Sequence, residues 1–319
     1  MDQHNKRISV VVPSYNHARF IERCLRSIFK QTRQPDELLI IDDGSSDDSV
    51  AVIERVLKDC PFPAEFVVHP NKGLCATLNE GLQRTNGDYF AYLGSDDLWL
   101  PEFLMSREQL LEANPKAVLG CGHGYLIDEH DRIYDCSTEW RNFERLTSDA
   151  RPWLYVGAAH VNPTTFYRRS ALETRQWNEN SKLEDYELYL NLAETGPFAF
   201  DPSVLAGWRK HSSNTSRDLK FMLNECLNAQ DRTADTYGWS EGRLNSVKSK
   251  TCFFYAASFE ENGYKAAALR LYLTNLQGAP SVKLLAKLLL RLCIPSRIVQ
   301  FRRRALKKRD PNPIYDVEI

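Results

Sequence analysis

The first half of the 319-residue chain predicts an α/β fold, because four short apolar runs alternate there with amphipathic segments. The runs are rich in β-branched and aromatic residues, which is typical of strands buried on both faces of a sheet. They are Ile8–Val12, Leu38–Asp42, Phe66–His69 and Tyr89–Leu93. In the first intervening segment, apolar residues recur at helical spacing, at positions 21, 24, 25 and 28. Four such units in about 110 residues predict a mostly parallel sheet with helices on both faces.

Beyond residue 115 the alternation loosens, and after residue 216 only helical patterns remain. Strands are predicted at 117–119, 124–127 and 164–167, a loop at 143–152 and a helix at 183–193. Further helices are predicted at 219–237, 247–262, 264–277, 282–293 and 297–308. We therefore expect an α/β domain over 1–216, with halves at 6–115 and 116–216, and a helical region over 217–319.

Composition limits the classes of protein to which the chain can belong. An apolar content of 43% with 11% aromatic residues allows a full core and argues against global disorder. The eight cysteines include no C-x-x-C spacing, which favours free thiols in a reducing compartment. The polar start, Met1–Arg7, is unlike a secretory signal, and no apolar run approaches the ~20 residues of a membrane span. We expect a cytoplasmic protein.

Two pairs of adjacent aspartates close predicted strands. Asp42–Asp43 end the second strand, and Asp96–Asp97 follow the fourth strand through Gly94–Ser95. Open α/β sheets bind ligands at the carboxyl ends of their strands. Adjacent carboxylates repel each other, and burying them without a partner costs several kcal/mol. A divalent cation, or the donors of a nucleotide's base and sugar, resolves that conflict. Turn and helix-cap chemistry is the alternative for either pair alone.

These pairs belong to a longer series of ordered segments. The series is Ile8–Asn16, Ile41–Asp47, Asn71-x-Gly73 with Asn79, Gly87–Asp97, Glu184–Leu188, and Trp208–His211 followed by Ser216. It resembles the family 2 glycosyltransferases over roughly residues 6–216. The resemblance implies an inverting enzyme with the GT-A fold, a Rossmann-like sheet that binds a nucleotide sugar, of the type that builds bacterial surface polysaccharides.

The chain departs from the family pattern at two positions. Gly94 stands where many members carry an aspartate, so one carboxylate fewer is available to a metal site. Leu78 stands where an arginine often precedes Asn79, which puts an arginine contact to the diphosphate in doubt. Lys72 is a candidate substitute for that arginine.

The resemblance assigns roles on the donor side. Asp97 is expected to hold Mn²⁺ or Mg²⁺, hard cations that can bridge the two phosphates of the leaving group. His211 is expected as a second metal ligand or as a donor to the departing phosphate, and Asp96 at the ribose. The base is expected to contact Asp43. It should lie in a slot shaped by Pro13, Ser14 and Tyr15, although Tyr15 is alternatively a core aromatic. Asn16 is also expected among the residues that bind the nucleotide.

On the acceptor side, an inverting transfer needs a base for the attacking hydroxyl. Asp185 is the predicted base and Glu184 the next candidate. Like-charged neighbours, Glu184 and Glu187, are expected to raise the pKa of Asp185. The alternative is that these acids only complement the dipole at a helix N-terminus.

The last forty residues carry a charge asymmetry. Residues 283–309 contain ten Lys or Arg and no Asp or Glu. Leucines at 284, 285, 288, 289 and 292 form an apolar face beside a basic stripe of Lys283, Lys287 and Arg291, and the basic triplets 302–304 and 307–309 follow. An amphipathic helix of this kind favours an anionic membrane surface. A helix packed on the protein with solvated lysines is the alternative, and nucleic acid is a third reading that we do not adopt.

The sequence thus predicts a metal-dependent inverting glycosyltransferase with a UDP-sugar donor. The expected acceptor is a glycan, lipid-linked through a polyprenyl carrier, at the inner face of the cell membrane. Two alternatives stay open. One is a sugar-phosphate nucleotidylyltransferase, although the expected Gly-rich basic loop after the first strand is absent from Pro13–Asn16. The other is an inactive nucleotide-sugar-binding or scaffold protein of a membrane assembly.

Overall fold

The computed structural model describes residues 6–139, 149–159, 162–211 and 218–292, together with Ile294. By its internal contacts the chain divides into two compact units. The first comprises Met1–Ala150 and Ala159–Ser213, and the second comprises Arg151–Ala158 and Asn214–Ile319. Residues 151–158, assigned by sequence to the α/β domain, thus group with the helical unit. The predicted boundary residue 216 lies outside the described residues.

Nine strands of the first unit form one mixed sheet within its described part. They are β1 (Ile8–Ser14), β2 (Glu37–Asp42), β3 (Ala64–Val68), β4 (Tyr89–Tyr92), β5 (Leu98–Trp99), β6 (Leu119–Ile127), β7 (Ile133–Cys136), β8 (Phe166–Arg168) and β9 (Phe198–Arg209). Their order is β3-β2-β1-β4-β8-β6-β9-β5, and β7 pairs with β6. The block β3-β2-β1-β4 is parallel throughout, as predicted. β8 runs antiparallel to both β4 and β6.

Helices of the first unit follow the strands. They are α1 (Ile21–Phe29), α2 (Ser49–Val56), α3 (Leu74–Arg84), α4 (Phe103–Ala113), α6 (Arg169–Thr174) and α7 (Glu184–Thr195). The four apolar residues predicted for the face of α1 are all buried. They join residues of β1, β2, β4, α2 and α4 in one core. Because full burial of a Leu or Ile contributes about 1.5–3 kcal/mol, this shared core is the main stabilising feature of the unit.

The later strands differ from the prediction. The segments 117–119 and 124–127 belong largely to a single strand, β6, whereas β5, β7 and the twelve-residue β9 were not predicted. β9 contains Pro202 and Gly207, which interrupt the apolar pattern typical of a strand. It is held by parallel pairing with β6 along most of its length.

The second unit is helical in its described part. Its helices are α5 (Arg151–Leu154), α8 (Leu219–Tyr237), α9 (Glu241–Glu261), α10 (Lys265–Thr274) and α11 (Val282–Leu292). The short helix α5 begins inside the loop predicted at 143–152, and residues 143–148 of that loop lie outside the described residues. The helix predicted at 297–308 also lies outside them. In the part of the chain that the structure describes, no helix has the length and apolarity that crossing a membrane requires.

The apolar face of α11 packs inside this unit. Leu288 is buried in a core with residues of α9 and α10, and Leu285, Leu289 and Leu292 pack against it. On the basic stripe, Arg291 Nε lies 2.5 Å from Oε1 of Glu260. Most of the leucine face of α11 is therefore packed against the protein itself, which is the alternative to membrane contact that the sequence left open. The basic triplets 302–304 and 307–309 lie outside the described residues.

Candidate active site

The loop that follows β2 is built around Asp42. Its Oδ1 accepts the Ser45 N–H at 2.8 Å, and its Oδ2 accepts the hydroxyls of Ser45 at 2.7 Å and Ser14 at 3.1 Å. Asn16, at the end of the neighbouring strand β1, has a φ of 55°, a conformation that asparagine tolerates. Its amide oxygen accepts the N–H of Ser46 at 2.8 Å. Asp42 and Asn16 therefore shape the loops at the carboxyl ends of β1 and β2.

Asp43 connects this loop to the one before α3. Its Oδ1 accepts the N–H of Lys72 at 2.8 Å, and its Oδ2 accepts the N–H of Gly73 at 2.9 Å. Gly44 has a φ of +76°, and a Cβ there would lie 2.7 Å from the Asn71 nitrogen, so the two loops meet too closely for a side chain. Oδ1 of Asp43 also lies 3.4 Å from Nδ1 of His69, whereas Oδ2 has a second lone pair that can accept from a ligand.

The remaining residues predicted for the nucleotide lie around these loops. Pro13 is buried in β1 opposite Ile41 of β2. Tyr15 is 48% exposed, which rules out the alternative that it is a core aromatic. The Lys72 ammonium forms an ion pair with Glu80 on α3. Lys72 could therefore contact the diphosphate in place of the missing arginine only if that pair broke.

A cluster of two histidines and one aspartate lies at the end of β4. His211 Nε2 lies 2.9 Å from Oδ2 of Asp96, and His17 Nδ1 lies 4.0 Å from Oδ1 of the same carboxylate. One ligand atom from each of the three residues lies within 4.8 Å of the others. The imidazole rings meet edge to face, with centroids 5.7 Å apart. Among the residues that the structure describes, these three side chains form a group that can hold a metal ion.

The electrostatics of the cluster fit a cation site. Burial raises the pKa of the Asp96 carboxyl, but the hydrogen bond with His211 and the fields of both imidazoles bring it below its ordinary value. Burial lowers the pKa of His17, against the opposing field of Asp96. Carboxylate oxygen and neutral imidazole nitrogen are the forms that ligate divalent metals.

Asp97 occupies a different environment from Asp96. Its Oδ1 accepts the backbone N–H of Arg209 at 2.7 Å. The Arg209 guanidinium in turn donates to the carbonyl oxygens of Asp96 at 2.6 Å and Asp128 at 2.8 Å. Burial and the neighbouring Asp96 raise the pKa of Asp97 well above its ordinary value. The structure thus brings His211 to Asp96, not to Asp97 as the sequence predicted, because Asp97 turns toward the end of β9.

The acceptor-side acids lie in the first turn of α7. Asn162 donates to Oε1 of Glu184 at 3.0 Å and to the Tyr92 hydroxyl at 2.6 Å. Burial, followed by the charge of Asp185, raises the pKa of Glu184 to about 8, and Asp96 contributes to the same shift. Burial also raises the pKa of Asp185. The donor-side and acceptor-side carboxylates therefore influence each other within one unit.

Two further residues near these acids have structural roles. Glu187 is buried and accepts a hydrogen bond from Asn178 at 2.8 Å, so it does not face solvent. The main cause of the raised pKa of Asp185 is burial, and not the charge of Glu184 or Glu187 as the sequence predicted. Asn79 of α3 donates to the Trp177 carbonyl at 2.9 Å and accepts its N–H at 3.0 Å. This pair of hydrogen bonds ties the two halves of the unit together.

Sequence reasoning missed His17, Asn162 and Lys210 as members of the site. His17 carried a usable signal, since it follows the end of β1 as Asp43 follows the end of β2. Lys210 lies with its Nζ 3.0 Å from the centroid of the Trp208 ring. Burial lowers the pKa of Lys210 to about 8, against the fields of Asp97, Asp96 and Asp185. Asn162 had no local signal, because only the fold brings it to Glu184.

Comparisons with known proteins agree with this architecture. The family model for glycosyl transferase family 2 matches residues 9–175. An uncharacterized glycosyltransferase of Nostoc sp. is 32% identical over 173 residues, 52% of this chain and 52% of the relative. This chain thus spans about half the length of that relative.

Two solved structures share the fold. S. aureus TarS 1-349 in complex with UDP-GlcNAc has a TM-score of 0.62 at 15% identity, covering 86% of this chain and 82% of its own. The mannosyltransferase PcManGT from Pyrobaculum calidifontis, in complex with GDP-Man and Mn²⁺, has a TM-score of 0.60 at 16% identity, covering 95% and 81%. This chain belongs to glycosyl transferase family 2, and the predicted family and GT-A fold class are confirmed.

Proposed function

We propose that this protein transfers a sugar from a nucleotide-diphosphate donor to a hydroxyl group of a glycan acceptor. The favoured donor is a UDP-sugar. The observation that carries the proposal is the presence of two carboxylate sites with separate partners in one unit, Asp96 on the donor side and the Glu184–Asp185 pair on the acceptor side. Asp96 lies against His211, whereas Glu184 accepts a hydrogen bond from Asn162 and is followed by Asp185 in the first turn of α7. Similar structures that bind UDP-GlcNAc or GDP-Man support a nucleotide-sugar donor.

Asp96 and His211 would hold the divalent cation. When bound, the cation neutralises the charge that develops on the diphosphate as the glycosidic bond breaks. Mn²⁺ accepts imidazole nitrogen more readily than Mg²⁺, which prefers oxygen ligands and keeps its water. The residues present therefore fit Mn²⁺ best, and the Mn²⁺ of PcManGT agrees with that choice. Asp97 is then a positioning residue that fixes the end of β9 through Arg209.

Asp185 is the proposed general base. It takes the proton from the acceptor hydroxyl while the oxygen forms a bond to the anomeric carbon. The bond from that carbon to the phosphate oxygen breaks on the opposite face, and the nucleoside diphosphate leaves with the electron pair. The anomeric configuration inverts as a result. Glu184, with a pKa of about 8, carries a proton near neutral pH and lowers the number of charges beside the base.

The acceptor is proposed to be lipid-linked, in the synthesis of a bacterial surface polysaccharide at the cytoplasmic face of the membrane. The support for this is the basic composition of residues 295–309, which contain seven Lys or Arg and no Asp or Glu. Such a segment is attracted to anionic headgroups, by about 1 kcal/mol per basic residue near the surface.

A panel of nucleotide sugars, screened for release of nucleoside diphosphate with and without Mn²⁺, tests the proposal. We expect one donor to be turned over, in a metal-dependent manner that requires both Asp96 and Asp185. A nucleotide sugar that binds tightly but is never cleaved, with any acceptor glycan, would instead favour a binding or scaffold protein.

A further inference from the structure

The loop between β1 and α1 places a second imidazole at the proposed metal site. The backbone N–H of His17 donates to the Ser49 hydroxyl at 3.0 Å, and its carbonyl accepts the N–H groups of Phe20 at 2.9 Å and Ile21 at 3.0 Å. The residue is therefore fixed by the start of α1. Its side chain remains 26% exposed, so a ligand can reach it.

The distances in the cluster suit a shared ion. Nitrogen and oxygen ligands lie about 2.0–2.6 Å from divalent cations, so two ligands of one ion are separated by at most about twice that distance. The ligand atoms of His17, Asp96 and His211 all lie within 4.8 Å of one another, which meets this limit. The Phe20 ring lies 5.1 Å from the His211 ring and 6.1 Å from the His17 ring, so both imidazoles are supported by packing.

We propose that His17 is a third protein ligand of the divalent cation, beside Asp96 and His211. This inference rests on the metal site of the proposed function and extends it. Two nitrogen ligands and one oxygen ligand make a set that discriminates for Mn²⁺ and against Mg²⁺, because Mg²⁺ exchanges its water for imidazole reluctantly.

One hydrogen bond supplies the competing explanation. His17 Nδ1 lies 2.8 Å from the Ser95 hydroxyl oxygen, and in the competing explanation His17 only orients the turn that carries Asp96. A ring nitrogen cannot accept from a hydroxyl and bind a metal with the same lone pair. Removal of the Ser95 hydroxyl therefore separates the two roles. It abolishes an orienting contact, yet leaves the nitrogen available to a metal.

The experiment measures Mn²⁺ binding to the full chain in the presence of UDP, by calorimetry and by electron paramagnetic resonance. The variants are His17→Gln, Ser95→Ala and, as a matched control, His130→Gln, which removes an exposed imidazole. We expect His17→Gln to weaken Mn²⁺ binding at least about 10-fold and to narrow the preference for Mn²⁺ over Mg²⁺. Ser95→Ala and His130→Gln should bind Mn²⁺ as the parent protein does. Spin-echo modulation from metal-bound imidazole nitrogen should fall from two rings to one in His17→Gln.

Two outcomes would overturn the inference. Unchanged Mn²⁺ affinity and nitrogen modulation in His17→Gln would remove His17 from the ligand set. Equal weakening by His17→Gln and Ser95→Ala, with nitrogen modulation from a single imidazole in the parent protein and in both variants, would assign His17 the orienting role. In either case, Asp96→Asn and His211→Gln still lose Mn²⁺ if the metal site itself is correct. Failure of the parent protein to bind Mn²⁺ with UDP would contradict the proposed function instead.

Discussion

His211 Nε2 lies 2.9 Å from Oδ2 of Asp96, whereas the adjacent Asp97 accepts the backbone N–H of Arg209 at 2.7 Å. Two neighbouring carboxylates thus have different partners, although both sit at the end of one buried strand. The first faces a pair of imidazoles and suits a cation. The second is joined to β9 and orders the chain segment that carries His211.

This difference predicts unequal effects of two matched substitutions. Asp96→Asn should reduce metal-dependent sugar transfer by about 10²–10³-fold, because a metal supplies several kcal/mol of charge stabilisation. Asp97→Asn keeps an oxygen that can accept from Arg209 and should retain Mn²⁺ binding. Calorimetric titration of Mn²⁺ and UDP into each variant measures the difference. If Asp97→Asn lost Mn²⁺ binding and Asp96→Asn kept it, Asp97 would be the metal ligand, as the sequence predicted.

The proposed base gives a prediction about turnover. Asp185→Asn preserves shape and hydrogen bonding but cannot take a proton, so turnover should fall by about 10²–10⁴-fold with UDP affinity nearly unchanged. Glu184→Gln should have a milder effect. Product NMR from an α-linked donor should show a β linkage. An α linkage would refute inversion, and near-normal turnover of Asp185→Asn would move the base to Glu184.

The raised pKa of Glu184 predicts that the folded state loses stability as the pH rises. Its folded pKa of about 8 lies above the ordinary value of 4.5, so the folded state holds a proton that the unfolded state releases between these two pH values. Stability therefore declines as pH rises from about 4.5 to about 8. Glu184→Gln removes that loss, which is on the order of a few kcal/mol, and should raise Tm at pH 8 but not at pH 4.5. Exposed Glu54→Gln is the control. Equal changes in Tm at both pH values would contradict the buried, protonated state of Glu184.

Gly94, where many family members carry aspartate, predicts a steric effect on the metal site. A Cβ at this position would lie 3.0 Å from Oδ1 of Asp96 and 3.4 Å from Oδ2 of Asp97. Gly94→Ala should therefore displace the Asp96 carboxylate by a few tenths of an ångström and weaken Mn²⁺ binding severalfold. Gly242→Ala, where a Cβ meets nothing within 4 Å, should fold and bind normally. Unaltered Mn²⁺ affinity in Gly94→Ala would show that the Asp96 carboxylate can move away from the added methyl group without weakening metal binding.

The sequence predicted the parallel half of the sheet because strands such as β1, which is buried along its whole length, are mostly apolar. It also placed Asp43, Asp96 and Glu184 in the site, since each lies beside the end of a strand or the start of a helix. The partner of each carboxylate was not predictable. In the turn from Gly94 to Asp97, successive side chains point in different directions that depend on the backbone. β9 was missed for another reason, because its pairing with β6 overrides a weak local strand preference.

The basic segment after α11 gives a prediction about membrane binding. Truncation after Ile294 removes seven Lys or Arg but keeps α11, whose Leu288 belongs to the core of the helical unit. The shortened protein should therefore fold, and transfer to a soluble acceptor should persist. Sedimentation with anionic liposomes should be lost, because about 1 kcal/mol of attraction is removed with each basic residue near the surface.

A full-length variant with Arg302, Arg303 and Arg304 changed to Gln should bind with intermediate affinity. Binding to neutral and anionic liposomes should be compared at low and high salt, since screening weakens only the electrostatic part. Equal liposome binding by the truncated and full-length proteins would show that residues 295–319 do not mediate membrane contact.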